Sequence, residues 1–174
     1  MKKILIIVDM QNDFIDGTLG TDEAQAIVSK AAEKIKSFEG EIIVTLDTHF
    51  ENYMNTSEGK KLPVAHCIKG TDGHKLNSEI KNALGGKSYT VVEKLTFGAK
   101  ELPQTVADAA AGEGYEIEMI GLCTDICVIS NALLLKAFNP EAEITVLSDL
   151  CAGVTPEKHL AALETMRSCQ INVI

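Results

Sequence analysis

The sequence predicts an α/β fold, a doubly wound three-layer α/β/α sandwich around a parallel sheet. Three observations carry the prediction. Six short runs are apolar on both faces, as strands covered by helices on each side must be. Helical patterns separate most of these runs, which makes the connections right-handed crossovers. One stretch, residues 48–88, breaks the alternation with weak periodicity and much Gly, Asn, Lys and His. A connection that long in a compact domain is usually functional.

The elements follow in order. Residues 4–8, Ile-Leu-Ile-Ile-Val, form the first strand. A helix over 21–37 comes next, with Thr21 and Asp22 able to cap its free N–H groups. Residues 42–46 make the second strand, and 89–92, beyond the long irregular stretch, the third. A helix over 102–111 leads to the fourth strand at 117–120, and a helix over 125–138 to the fifth at 144–147. The last helix, 156–168, has Pro156 at its first position and Thr155 as N-cap, an arrangement in which proline's missing N–H costs nothing. Residues 171–174 give the sixth strand.

Composition bounds the function. A chain of 174 residues fits one domain, 1–174, with room for a proper core. A formal net charge of −9 argues against nucleic acid or an anionic membrane as partner, since either needs a basic face. No segment is apolar for long enough to span a bilayer, and the apolar run after Met1-Lys2-Lys3 ends at Asp9, too soon for a signal peptide. Five cysteines, an odd number, then point to a reduced, cytoplasmic protein.

In doubly wound sheets ligands bind beyond the carboxyl ends of the strands. The first strand ends at Asp9, the second at Asp47 with His49 close behind, the third at Glu93-Lys94, and the fourth at Gly121-Leu122-Cys123. An Asp, a Lys, a Cys and an Asp-x-His pair thus share one rim. The stretch GLCTDICV, 121–128, holds two of the cysteines. Their spacing is not that of a zinc pair, and buried packing is the default for Cys67, Cys123, Cys151 and Cys169. Cys127 differs, because a helix starting near Asp125 would place its thiol in the first turn. Unbonded N–H groups there favour the thiolate and can hold an oxyanion. Asp47, His49 and His66 offer a carboxylate and two imidazoles, which by spacing alone suit a metal centre or a solvated loop equally well. His74 and His159 read as surface or helix-face residues.

The chain resembles the isochorismatase-like cysteine hydrolase superfamily, and within it the nicotinamidases. The motifs that carry the likeness are VDMQNDFIDG from Val8, DTH from Asp47, HCIKGTDG from His66, EKLTFGA from Glu93, GLCTDICV, and SDLCAG from Ser148. The resemblance implies a six-stranded parallel sheet in the order 3-2-1-4-5-6 and a catalytic triad of Asp9, Lys94 and Cys127. It implies a non-proline cis peptide between Leu122 and Cys123, and an oxyanion hole made by the N–H groups of Cys123 and Cys127. A divalent transition metal is implied too: zinc first, with iron or manganese as options, on Asp47, His49 and His66, with Glu58 as a further ligand in some relatives. Its task would be to grip the substrate's ring nitrogen.

The activity implied is hydrolysis of a small amide, nicotinamide before others, through a thioester on Cys127, in a homo-oligomer. Another small amide, isochorismatase-type hydrolysis, or a non-catalytic binding role are the alternatives. A flavodoxin-like nucleotide module would want a Gly-rich turn after the first strand, and none is present. The chain departs from the family where an aromatic usually stacks on the pyridine ring: residues 61–65 read Lys-Leu-Pro-Val-Ala, and Thr48 stands where Trp is frequent. Phe14, Leu62 and Phe97 are the candidates to line the pocket instead, with Tyr53 a further aromatic that could do so.

Overall fold

The computed structural model describes residues 1–174. Six parallel strands, β1 Lys2–Val8, β2 Glu41–Asp47, β3 Thr90–Lys94, β4 Tyr115–Leu122, β5 Glu143–Ala152 and β6 Asn172–Val173, lie in the order β3-β2-β1-β4-β5-β6. That is the doubly wound order, and it puts the switch point between β1 and β4.

The apolar runs divide as a two-sided sheet requires. Every residue from Ile4 to Val8 is fully buried. Ile4, Ile6 and Val8 join one core with Ile117, Met119, Ile144 and Val146, under α5 (Leu102–Ala110), α6 (Ile129–Phe138) and α7 (Pro156–Ser168). Leu5 and Ile7 point the other way, into a second core with Ile42, Val44 and the apolar stripe Ile27, Val28, Ala31 and Ile35 of α2 (Asp22–Ser37). Alternate residues face opposite sides of a pleated strand, so an apolar run needs a helix layer on each side. Thr21 and Thr155 cap α2 and α7 through their side-chain oxygens. No helix is long and apolar enough to cross a membrane.

Three elements differ from the sequence expectation. β5 runs five residues further than the apolar run, to Ala152, because pairing with β4 resumes at Cys151 after a register shift. β6 is only Asn172–Val173. The helix expected over 125–138 is divided: Thr124–Val128 form one wide π-helical turn, and the α-helix begins at Ile129. The irregular stretch after β2 holds a 3-10 turn, Tyr53–Asn55, and two short helices, α3 Ser57–Lys61 and α4 Ser78–Ala83. A further short helix, α1 Asn12–Ile15, follows β1.

Candidate active site and metal centre

Register builds the site. Val8 pairs with Thr45 on one side and Gly121 on the other, while Asp47 pairs with Lys94. The residues just past these pairs therefore emerge together on one rim. Gly121 is required there: a Cβ on it would sit 2.1 Å from the Val8 carbonyl oxygen, and its φ is +120°. Asp9 takes a left-handed φ of 48°, a strained state for a non-glycine residue that persists only where its surroundings enforce it.

Lys94 is the hub. Its ammonium lies 2.7 Å from Asp9 Oδ2 and 3.0 Å from Asp47 Oδ1, and it donates to Cys127 Sγ at 3.3 Å. All of this is out of water, with Asp9 at 0%, Lys94 at 1% and Cys127 at 5% exposure. An ammonium so enclosed would lose its proton by itself, but the charge of Asp9 and its hydrogen bond, with the charge of Asp47, outweigh the burial and hold it protonated. Burial raises Asp9 above the ordinary carboxylate range, against the opposing pull of Lys94. Thr45 Oγ1 also donates to Asp9 Oδ1, at 2.6 Å.

Burial and the neighbouring Asp9 charge push the Cys127 thiol well up as well. This corrects the expectation of a ready thiolate. The sulfur is packed in the core under the sheet, and desolvation is the largest influence on it. The resting pair is a neutral thiol beside a carboxylate that has reason to take a proton. The peptide between Leu122 and Cys123 is cis.

Asp47, His49 and His66 converge on a common point, with their ligand atoms all within 4.8 Å of one another. Asp47 Oδ2 is 3.0 Å from His49 Nε2 and 3.6 Å from His66 Nε2, and Glu58 Oε1 is 3.7 Å from each Nε2. His49 Nε2 is nevertheless buried without a hydrogen bond. Short separation without donor geometry is what ligand atoms facing a shared cation display. His66 Nδ1 is engaged by the Val64 carbonyl at 2.8 Å, which leaves Nε2 free to ligate. Two neutral imidazoles with one or two carboxylates suit zinc or a similar divalent ion. The donor set fits.

Several residues that hold this centre escape a strand-end reading. Gln11 is fully buried and clamps the Asp47 backbone, accepting from its N–H at 2.7 Å and donating to its carbonyl at 2.9 Å and to that of His74 at 2.8 Å. Asp13 accepts from the Cys67 N–H at 2.7 Å, fixing the chain next to His66. A Cβ at Gly73 would displace the Asp13 carboxylate from this position. Tyr53 is buried edge-on against both metal-site histidines, and its hydroxyl donates to the Leu62 carbonyl. Thr56 caps the short helix that carries Glu58. On the other side, Asn131 donates to the Cys127 carbonyl at 2.8 Å and accepts from the Ala99 N–H. The QND of the first motif and the Thr-Ser-Glu that opens α3 are the signals the sequence offers.

His74 is not a surface residue. It is buried, with Nε2 2.9 Å from Thr48 Oγ1, because the irregular stretch folds back over the end of β2. His159 is half-buried on α7 and pairs with Thr124 Oγ1 at 2.8 Å, against the turn that holds Cys127. A cavity of about 600 Å³ opens onto both centres. Phe14, Leu62, Phe97, Cys123 and Cys127 line it, together with Asp47, Glu58 and His66.

Comparison with known proteins places this arrangement. The isochorismatase domain profile matches residues 3–174. The chain is 29% identical over 186 residues to the nicotinamidase/pyrazinamidase of Mycobacterium tuberculosis, covering 99% of this chain and 98% of that one. A nicotinamidase/pyrazinamidase crystal structure from Bacillus subtilis has a TM-score of 0.83 at 26% identity, covering 99% of each chain. A pyrazinamidase of Pyrococcus horikoshii, solved in complex with zinc, has a TM-score of 0.81 at 27% identity, covering 100% of this chain and 99% of that one.

Proposed function

The chain belongs to the isochorismatase family, and we propose that it is a cysteine amidohydrolase whose substrate is nicotinamide, with nicotinate and ammonia as products. One observation carries the reading. A single buried ammonium, Lys94, touches a carboxylate and a thiol, Asp9 and Cys127, beside a cavity that can admit a small amide.

Asp9 takes the thiol proton while Lys94 balances the charge that the transfer creates. The Cys127 thiolate attacks the amide carbonyl, and the oxyanion rests on the N–H groups of Cys123 and Cys127. Asp9 gives the proton to the departing amine, so ammonia leaves and a thioester remains. Asp9 then draws a proton from water, whose oxygen attacks the thioester carbonyl; the carbon–sulfur bond breaks, the acid leaves, and Asp9 returns the proton to the Cys127 sulfur. Asp47, His49 and His66, with Glu58 in reach, would hold a divalent metal, zinc first. Its chemistry would be to bind the ring nitrogen and hold the amide in reach of Cys127. Phe14 and Phe97 are the aromatic faces available to the ring, since Leu62 offers none.

Ammonia release from nicotinamide by the metal-loaded protein tests the proposal. Benzamide, which lacks the ring nitrogen, should be a much poorer substrate, and Cys127→Ala should release nothing while keeping its fold. Equal rates on the two amides would remove the ring nitrogen from recognition. Turnover by Cys127→Ala would end the mechanism.

A further inference from the structure

The cavity is larger than a single-ring amide needs. Its volume of about 600 Å³ falls in the range of pockets that enclose drug-sized ligands. Four charged side chains line it, Asp47, Glu58, Lys61 and Lys158. The two carboxylates face the histidines of the metal centre, within 3.7 Å. The two lysines face no acid. The lysine ion pairs of the molecule belong to Lys2, Lys3, Lys34, Lys69, Lys75 and Lys94. No acid lies within ion-pair distance of Lys61 or Lys158, so both cations at this cavity are available to a ligand. They come from separate elements, Lys61 from the end of α3 and Lys158 from the first turn of α7.

The wall beside them is apolar and open. Leu95 is 64% exposed, and Phe97 and Val154 are also exposed, yet all three line the cavity. Exposed apolar side chains gathered at a cavity mark a surface that a ligand covers. The new carboxylate of the product forms at Cys127, where Lys94 is the nearby cation. Lys61 and Lys158 lie apart from it, exposed at the cavity.

We infer that the site takes amides larger than nicotinamide: amides with an apolar body that rests on Leu95, Phe97 and Val154 and an anionic group paired with Lys61 and Lys158. This rests on the amidohydrolase reading and names its substrate class. Each lysine contributes about fivefold to the preference at low salt, the scale of a solvent-exposed charge pair at contact distance, and added salt screens it.

The test compares nicotinamide with a pyridine-3-carboxamide that carries a carboxylate on a short alkyl arm. Ammonia release by the metal-loaded enzyme should give a kcat/KM more than tenfold higher for the carboxylate amide at low salt. The ratio should fall toward one at high salt and in Lys61→Met/Lys158→Met, which keeps the apolar stems. Calorimetric binding of both amides to Cys127→Ala supplies a readout that does not need turnover. Tighter binding of the carboxylate amide supports the inference even where neither amide is hydrolysed, a result that counts against the amidohydrolase reading alone. Equal affinity, or a preference that survives in the double variant, overturns the inference and leaves that reading in place.

Discussion

Asp9 and Asp47 stand at the ends of neighbouring strands and share one ammonium, yet their surroundings pull them apart. Asp9 is fully enclosed, and burial raises it despite Lys94 and the Thr45 hydroxyl. Burial acts on Asp47 in the same direction, but the close imidazoles of His49 and His66 and the charge of Lys94 outweigh it and hold the carboxyl far below its usual range. A carboxylate pushed up is suited to exchanging protons. One held down is suited to staying an anion for a cation. The difference teaches that a charged residue at a strand end is only a candidate, and that its neighbours assign the work.

The largest effect should come from removing the charge of the raised partner. Asp9→Asn should lower turnover by a factor on the order of 10⁴, as in enzymes whose acting residues work as a unit. The same substitution should speed alkylation of Cys127, because it deletes the negative charge that helps keep the thiol protonated. Both are read on one preparation, by ammonia release and by mass spectrometry after iodoacetamide. Slower alkylation together with lost turnover would mean that Asp9 assists thiolate formation more than it opposes it.

Lys94→Met attacks the shared partner and should harm both sides together. Two buried carboxylates would be left facing one another without the cation between them. Breaking a buried ion pair by removing one member costs about 3–5 kcal/mol, which urea unfolding would detect, and turnover should vanish with it. A variant as stable as the parent would show that the carboxylates relieve each other by taking up a proton. The two sides would then be less dependent on Lys94 than the 2.7 and 3.0 Å contacts suggest.

Gln11→Leu should separate the sides again. It removes the clamp on the Asp47 backbone and leaves an N–H without its partner, at a cost of about 1–3 kcal/mol. Metal per chain, measured by elemental analysis, should fall, while alkylation of Cys127 stays near the parent rate. Unchanged metal content would show that the loop histidines hold the centre without the clamp.

The sequence made the side of Asp9, Lys94 and Cys127 more legible than the side of Asp47, His49 and His66, and the reason is physical. Asp9, Lys94 and Cys123 lie within three residues of the ends of apolar runs, and a two-sided parallel sheet sends such ends to one rim by register alone. The sheet order followed from the same alternation together with the family resemblance. His49, Glu58 and His66 lie on a stretch with no periodicity, whose path is set by long-range side-chain to backbone bonds such as Gln11 to Asp47 and Asp13 to Cys67. Such partners have no fixed spacing, so spacing alone left Asp-x-His ambiguous, and His74 was misplaced for the same cause. The π-helical turn was invisible too. Its residues read as an ordinary helix start, and only packing shows that Cys127 is enclosed where a free helix end was expected.

The smallest expected effect tests what tunes Asp9. Thr45 Oγ1 donates to Asp9 Oδ1 at 2.6 Å, and a hydrogen bond to the charged form favours that form. Thr45→Val keeps the shape, deletes the donor, and should raise Asp9 further. The sign for catalysis follows from the proposed role. Asp9 must be ionised to receive the thiol proton, so activity is lost as pH falls through its folded pKa. Raising that pKa moves the acid limb of kcat/KM to higher pH, with little change on the plateau. Thr45→Ser restores the hydroxyl and should return the limb toward its parent position. A limb that stays in place in Thr45→Val would assign it to a group other than Asp9. Asp47 gives the contrast: its low state rests on His49, His66 and Lys94, none of which Thr45 hydrogen-bonds, so metal content should be the same in all three proteins. A joint loss of metal would show that the end of β2 moved as a whole, and that the two carboxylates are less independent than their surroundings imply.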